Sequence, residues 1–181
     1  MIVIIDLWKK IYCSYTKDYS ELKRWVDLIS EDPNGSLEIA RKLTRAYGNP
    51  PDVITLGFSP QVLVGALSLK KEIIVITSPE VEKGEGPGAL SKALLDLFRD
   101  RVQLKIAPFA PSPSISPDDV INELVKVFRE VSNRGAKLLD VSGGTQLVPI
   151  AAIKAGFKSL SYAYPDGEML SFYEFRIEEG R

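Results

Sequence analysis

Residues 52–77 read DVITLGFSPQVLVGALSLKKEIIVIT, and this stretch decides the fold class. Asp52–Leu56 is a short apolar run suited to a buried strand, Gly57–Ser59 a tight loop, and Pro60–Leu69 an apolar helix. Glu72–Thr77 then returns as a second buried strand. Ser59 is placed to cap the helix, and Pro60 sits where a missing N–H costs nothing. A strand, a helix and a strand in such close succession are the signature of a parallel βαβ unit with a right-handed crossover.

Downstream the rhythm repeats. Ala89–Arg99 is helical, with Leu90, Ala93, Leu94, Leu97 and Phe98 on one face. Val102–Ala107 is a strand, and Pro108–Pro117 is a loop. Ser116-Pro117-Asp118-Asp119 opens a helix running to about Asn133, its acidic residues near the positive end of the dipole. Ala136–Val141 is a fourth strand, Ser142–Thr145 a loop, and the next helix ends near Gly156. Ser159–Tyr164 and Met169–Phe175 alternate about Pro165-Asp166-Gly167, a hairpin signal. The expected fold is α/β, an open Rossmann-like and mostly parallel sheet with a C-terminal hairpin. Counted from Asp52, its core strands take the order 3-2-1-4. Glu82–Gly88 reads as a mobile loop whose carboxylates repel phosphate.

Upstream, Gly48-Asn49-Pro50-Pro51 is the clearest boundary. Residues 1–51 are expected to be an appendage packed on the 52–181 domain. Ile2–Ile5 reads as a strand, Ser20–Ile29 as a helix and Pro33-Asn34-Gly35 as a turn. A second helix, capped by Ser36, is expected to reach Tyr47. Lys23, Arg24, Arg41, Lys42 and Arg45 there alternate with acidic residues, so direct DNA binding is not expected.

Composition narrows the chemistry. The 181 residues are 45% hydrophobic and 26% charged with a net charge of -1, which suits one globular domain without a broad cationic surface. Histidine is absent. That removes hydrolases using a His base, the common His-ligated zinc sites and His-dependent ribonucleases. The single Cys13 and the lack of a C-x-x-C motif suit a reduced, cytoplasmic setting. The apolar opening before Asp6 is too short for a signal peptide or a membrane span. With neither G-x-G-x-x-G nor a P-loop motif, no dinucleotide is indicated, and the expectation is no cofactor and no metal.

In an open parallel sheet, ligands bind beyond the strand carboxyl ends where the winding reverses. Order 3-2-1-4 puts that point between the first and fourth strands. The loops there are Gly57-Phe58-Ser59-Pro60-Gln61 and Ser142-Gly143-Gly144-Thr145-Gln146. Both set small residues and hydroxyls where a helix begins, and free N–H groups there attract an anionic oxygen. The same residues also serve as an ordinary tight βα turn with a capped helix, so each loop alone has two readings. Convergence of both at the switch point favours a phosphate or nucleotide pocket.

The run Leu138–Gln146 (LLDVSGGTQ), with the helix and hairpin after it, resembles the Asp-x-(Ser/Thr)-Gly-Gly-Thr-Lys signature of CRISPR-associated Rossmann-fold (CARF) domains. Val53–Gln61 (VITLGFSPQ) is similar to that family's first strand and loop, and the likeness spans roughly residues 52–175. Gln146 stands where the family commonly has a basic residue, so no charge clamp is expected there. The resemblance implies a homodimer sharing a two-fold pocket for a cyclic oligoadenylate messenger, with the tetra-adenylate the expected ring. Its effector domains have no place within this length. The choice left open is a metal-independent ring nuclease against a non-catalytic sensor, with an unrelated α/β enzyme for a phosphorylated small molecule as a third reading. For cleavage, the candidate groups are Ser59, Thr145, Gln146 and the loop amides, with Lys154 or Lys158 if a partner chain brings one near.

Overall fold

Short apolar runs separated by helices become neighbouring strands of one sheet. The computed structural model describes residues 2–178, in which β1 is Thr44–Tyr47, β2 Val53–Leu56, β3 Ile73–Thr77, β4 Val102–Ile106, β5 Leu138–Asp140, β6 Ser159–Pro165 and β7 Leu170–Arg176. Their order is β1-β7-β6-β5-β2-β3-β4. The central strands β4-β3-β2-β5 reproduce the expected 3-2-1-4 core, with all three of their pairings parallel. All four residues of β2 are buried, as a strand covered on both faces requires. The protein is therefore an open, Rossmann-like α/β fold. The β6–β7 hairpin is antiparallel, as its turn signal indicated.

The helices are α1 Ile2–Ile11, α2 Tyr19–Glu31, α3 Pro33–Lys42, α4 Gln61–Leu69, α5 Pro79–Lys83, α6 Ala89–Leu97, α7 Pro117–Asn133 and α8 Leu147–Lys154. Six of them, α1 to α6, share one hydrophobic cluster with Ile54, Leu56, Val75, Leu170 and Phe172. On the other side, α7 and α8 pack on Val53, Ile76, Leu139, Val141 and Leu160. The capping box Ser116–Asp119 starts α7, which buries Val120, Ile121, Leu124, Val125, Phe128 and Val131 on one stripe. Each such side chain contributes roughly 1.5–3 kcal/mol by leaving water. Among the described residues, no helix is long and apolar enough to cross a membrane.

Four expectations are corrected. Ile2–Ile5 is not a strand but the first turn of α1. Its β-branched residues favour extension locally, yet Trp8, Ile11 and Tyr12 continue the apolar positions at helical spacing and are buried. Trp8 and Tyr12 then pack with Trp25 of α2, ring centroids 5.3–5.9 Å apart. Pro33-Asn34-Gly35 is the start of α3, capped not by Ser36 but by Asp32, whose carboxylate accepts from Gly35 N at 3.0 Å. That helix stops at Lys42, and Thr44–Tyr47 is a strand parallel to β7, with Thr44 opposite Leu170. Finally, Glu82–Gly88 is not wholly a loop, since its first two residues end α5. Ser78 caps α5, left-handed Gly84 ends it, and a 3-10 turn follows at Gly86–Gly88.

Residues 1–51 thus add an edge strand and three helices to the same core cluster, including the fully buried Trp25 and Ile29.

Candidate functional site at the strand switch point

From β2 the chain lays β3 and β4 to one side, then returns to place β5 on the other. The βα loops after β2 and β5 consequently meet, and they meet without side chains between them. A Cβ on Gly57 would lie 2.2 Å from Gly143 O, and one on Gly143 would lie 1.8 Å from Thr55 O. Neither glycine is in the left-handed region, so close approach and not backbone conformation requires them. Thr55 Oγ1 fastens the contact by donating to Asp140 O at 3.0 Å and accepting from Gly143 N at 3.3 Å. Gly57 O is held in turn by the buried Ser91 hydroxyl at 2.7 Å.

Over these loops lies a cleft of about 500 Å³, floored by Phe58, Ser59, Gln61, Ser142, Gly143 and Gly144. Its opposite wall is Thr16, Lys17, Tyr19 and Leu22, from the α1–α2 connection and the start of α2; Pro87 and Leu90 close a third side. Lys17 is the one charged side chain among these lining residues. No ion pair engages it among the described residues. Phe58 and Tyr19 stand on the rim, each 52% exposed. Gln61 is buried, and its amide is oriented by Nε2 donating to Ile11 O at 3.2 Å. That leaves Gln61 Oε1 buried and unpartnered. A buried acceptor without a donor costs about 1–3 kcal/mol.

Beneath the second loop, Asp140 is fully buried on the α1–α6 side of β5. Its Oδ1 accepts from Ser142 N at 3.0 Å and from the Ser142 hydroxyl, fixing the first residue of the loop. Its Oδ2 is unpartnered, as are the Ser161 hydroxyl on the adjacent strand and the Tyr15 hydroxyl. Burial raises the Asp140 carboxyl to about 6, against the opposing pull of the Ser142 bonds. Burial also raises Tyr15 well above the usual phenol range, with the Asp140 charge adding to it. Tyr15 adopts a left-handed φ of 47°, unusual for a residue with a side chain, in the connection that walls the cleft.

The expected site residues divide into those the cleft gathers and those it does not. Gly57, Phe58 and Ser59 converge with Ser142, Gly143 and Gly144. Ser59 does not cap α4, which begins with Pro60 as N-cap and no side-chain cap bond; the Ser59 hydroxyl is left to face the cleft. The ring of Pro60 is buried. Thr145 Oγ1 turns away to donate to Phe109 O, tying the proline-rich loop to α8. Gln146 is the exposed N-cap of α8 and makes no side-chain cap bond. Lys154 closes α8 at the far end, about 12 Å along an eight-residue helix, and its carbonyl accepts from Arg129. Lys158 follows beyond it. Neither lysine lines the cleft of its own chain. Thr16, Lys17, Tyr19 and Leu22 were not foreseen, because the segment bearing them precedes β2 in sequence and carries no loop motif.

A second concavity, about 460 Å³, opens at the opposite ends of the strands around Asp52, Lys70 and Arg101. Its polar groups serve the fold. Lys70 pairs with Asp52 at 2.6 Å, and Arg101 donates to the carbonyls of Leu67, Lys70 and Lys71. Among the described residues, no three His, Cys, Asp or Glu side chains group as a metal site. Comparison with protein-family models returned no match, and comparison with curated proteins returned none.

Proposed function

We propose that the switch-point cleft binds a phosphate-bearing nucleotide, and that this ligand is a cyclic oligoadenylate, with the tetra-adenylate as the expected ring. The observation that carries the reading is the side-chain-free contact of Gly57 with Gly143 at a cleft whose one charged lining residue, Lys17, is in no ion pair among the described residues. Open backbone and one cation suit a phosphodiester. Phe58 and Tyr19 offer faces on which a base can stack. The choice of oligoadenylate, and with it a role in CRISPR defence, follows the resemblance of LLDVSGGTQ to CARF domains. A cyclic ligand with repeated phosphates also suits a homodimer presenting the same loops across a two-fold axis.

Cleavage is part of the proposal. A ribose 2′-oxygen held in line attacks the adjacent phosphorus, the P–O5′ bond breaks, and the 2′ proton passes to the leaving 5′-oxygen. Linear products then end in a 2′,3′-cyclic phosphate. Ser59 and the loop amides are the groups of one chain positioned to orient the phosphodiester and stabilise its developing charge. Thr145, Gln146 and Lys154 do not line the cleft of their own chain, so a role for them requires a second chain. With no histidine, general acid–base assistance worth ~10²–10⁴-fold is largely missing, so turnover is slow.

The test is incubation with cyclic tri-, tetra- and hexa-adenylate, with and without EDTA, read by calorimetry and mass spectrometry. Tight binding with slow, EDTA-insensitive release of linear product supports the full reading. Binding without product removes the enzyme and leaves a sensor. Failure to bind any of the rings, with a phosphorylated monomer bound at one per chain, favours an unrelated α/β enzyme.

A further inference from the structure

On the side of the sheet covered by α7 and α8, helical cover ends at β6. Leu160 is buried there, but the strand positions beyond it are open. Cross-strand pairing puts Tyr162, Tyr173 and Tyr47 in one row over three strands. Tyr47 and Tyr173 stack with centroids 4.8 Å apart and planes 4° from parallel. Tyr164 and Phe175 flank the row, and all five rings are 41–54% exposed.

We propose that this aromatic face is a self-association surface, occupied by the same face of a second copy of the chain. Five half-exposed rings leave roughly 350–600 Å² of aromatic surface at ~150–250 Å² per ring. With a polar rim, that approaches the ~800 Å² each partner contributes to a standard interface. Tyrosine and phenylalanine are the residues enriched in such interfaces, and charged residues are depleted at their core. Arg45 is the one charged side chain among the strand positions of β1, β6 and β7 that share this face between Leu160 and Tyr47. Apposed copies therefore meet without extended like-charge repulsion. A single-stranded nucleic acid would need a basic groove beside its stacking rings, which one arginine at the edge does not supply.

The cleft opens on the opposite side of the sheet, among residues of the α1–α2 connection, α2 and α6. Pairing through the tyrosines thus neither blocks it nor depends on a ligand, and it is a second contact, separate from the ligand-bound pairing of loops proposed above. The experiment is sedimentation velocity of the full chain without nucleotide, with amide exchange followed over the same concentrations. A dimer at low micromolar concentration is expected, with residues 159–176 gaining protection as it forms. Tyr173→Ser, which removes a ring without adding charge, should weaken it at least about 30-fold, as loss of an interface anchor does. Tyr162→Glu should leave a monomer, while Leu104→Glu, on the far edge strand, should not. A wild-type monomer at 100-fold higher concentration overturns the proposal, as does a dimer that both tyrosine variants leave intact. Cyclic oligoadenylate binding is scored separately, so its absence in a dimeric protein overturns the ligand reading alone.

Discussion

Gly143→Ala tests the site where its geometry is tightest. The new Cβ would sit 1.8 Å from Thr55 O, 2.5 Å from Thr55 C and 3.0 Å from Leu56 Cα. All three are backbone atoms of β2, which is clamped between β3 and β5 and cannot yield. Reaching ordinary contact at 3.4 Å requires the 142–144 loop to move by 3.4 − 1.8 = 1.6 Å. That displacement takes Gly143 N, now 3.3 Å from Thr55 Oγ1, out of hydrogen-bonding range. Overpacking of this kind costs about 1–3 kcal/mol and the lost bond about 1 more. For a chain of this size, the sum lowers the melting temperature by roughly 5–15 °C. Gly144→Ala is the comparator, because its Cβ meets the Val148 side chain, at 2.2 Å, and one buried side chain shifts at less cost than the backbone of a central strand. Thermal unfolding followed by circular dichroism should rank wild type above Gly144→Ala above Gly143→Ala. If Gly143→Ala melts within 2 °C of wild type, or above Gly144→Ala, the two loops do not pack backbone to backbone.

Other outcomes follow from individual side chains. The folded chain keeps the Asp140 proton up to about pH 6, whereas the unfolded chain releases it near pH ~4, so stability falls as pH rises between those values and stays lower above them. Asp140→Asn retains an acceptor for Ser142 and should be more stable than wild type by about 2 kcal/mol at pH 7.5, with little difference at pH 4; identical pH slopes in urea unfolding would contradict this. Lys17→Ala should weaken a phosphate ligand by roughly 10–100-fold, since a hydrogen bond to a charged group is worth ~1.5–3 kcal/mol, and calorimetry showing unchanged affinity would take the cation out of the site. Thr145→Val should cost about 1 kcal/mol and expose the Pro108–Pro117 loop to protease, and equal digestion rates would show that its bond to Phe109 O does not hold that loop.

The parallel core was legible because its strands are apolar runs bounded by turn chemistry, and because a buried strand tolerates little else. The start of α7 at Ser116–Asp119 and the 165–167 turn were readable for the same local reason. The first helix was not. Its opening isoleucines favour extension residue by residue, and only Trp8, Ile11 and Tyr12 reveal the helical period. β1 was hidden because Leu43 and Tyr47 continue the spacing of α3, and what makes the segment a strand is β7, far away in sequence. Half of the site was legible too. The switch-point rule brought the two glycine loops together, but no local pattern marks Thr16 to Leu22 as their opposite wall. Asp140 carried a signal within LLDV: a lone carboxylate in an apolar strand must be satisfied by its neighbours or hold its proton.

Placing β1 beside β7 also sets a timetable for synthesis. Leu43 O accepts from Leu170 N, and Cys13 O accepts from Gly167 N. The aromatic trio Trp8, Tyr12 and Trp25 shares its cluster with Ala163, Leu170 and Phe172 of the hairpin. While the ribosome is still translating the middle of the chain, those rings can meet α4 and α6 but not the hairpin part of their cluster. The emerging N-terminal helices must wait, sticky and half-docked, until the hairpin is released. Contacts this distant in sequence slow folding and prolong exposure to aggregation. Cells making this protein at high rate should therefore lose more of it to aggregates when codons in the hairpin are slow than when those in the first helices are.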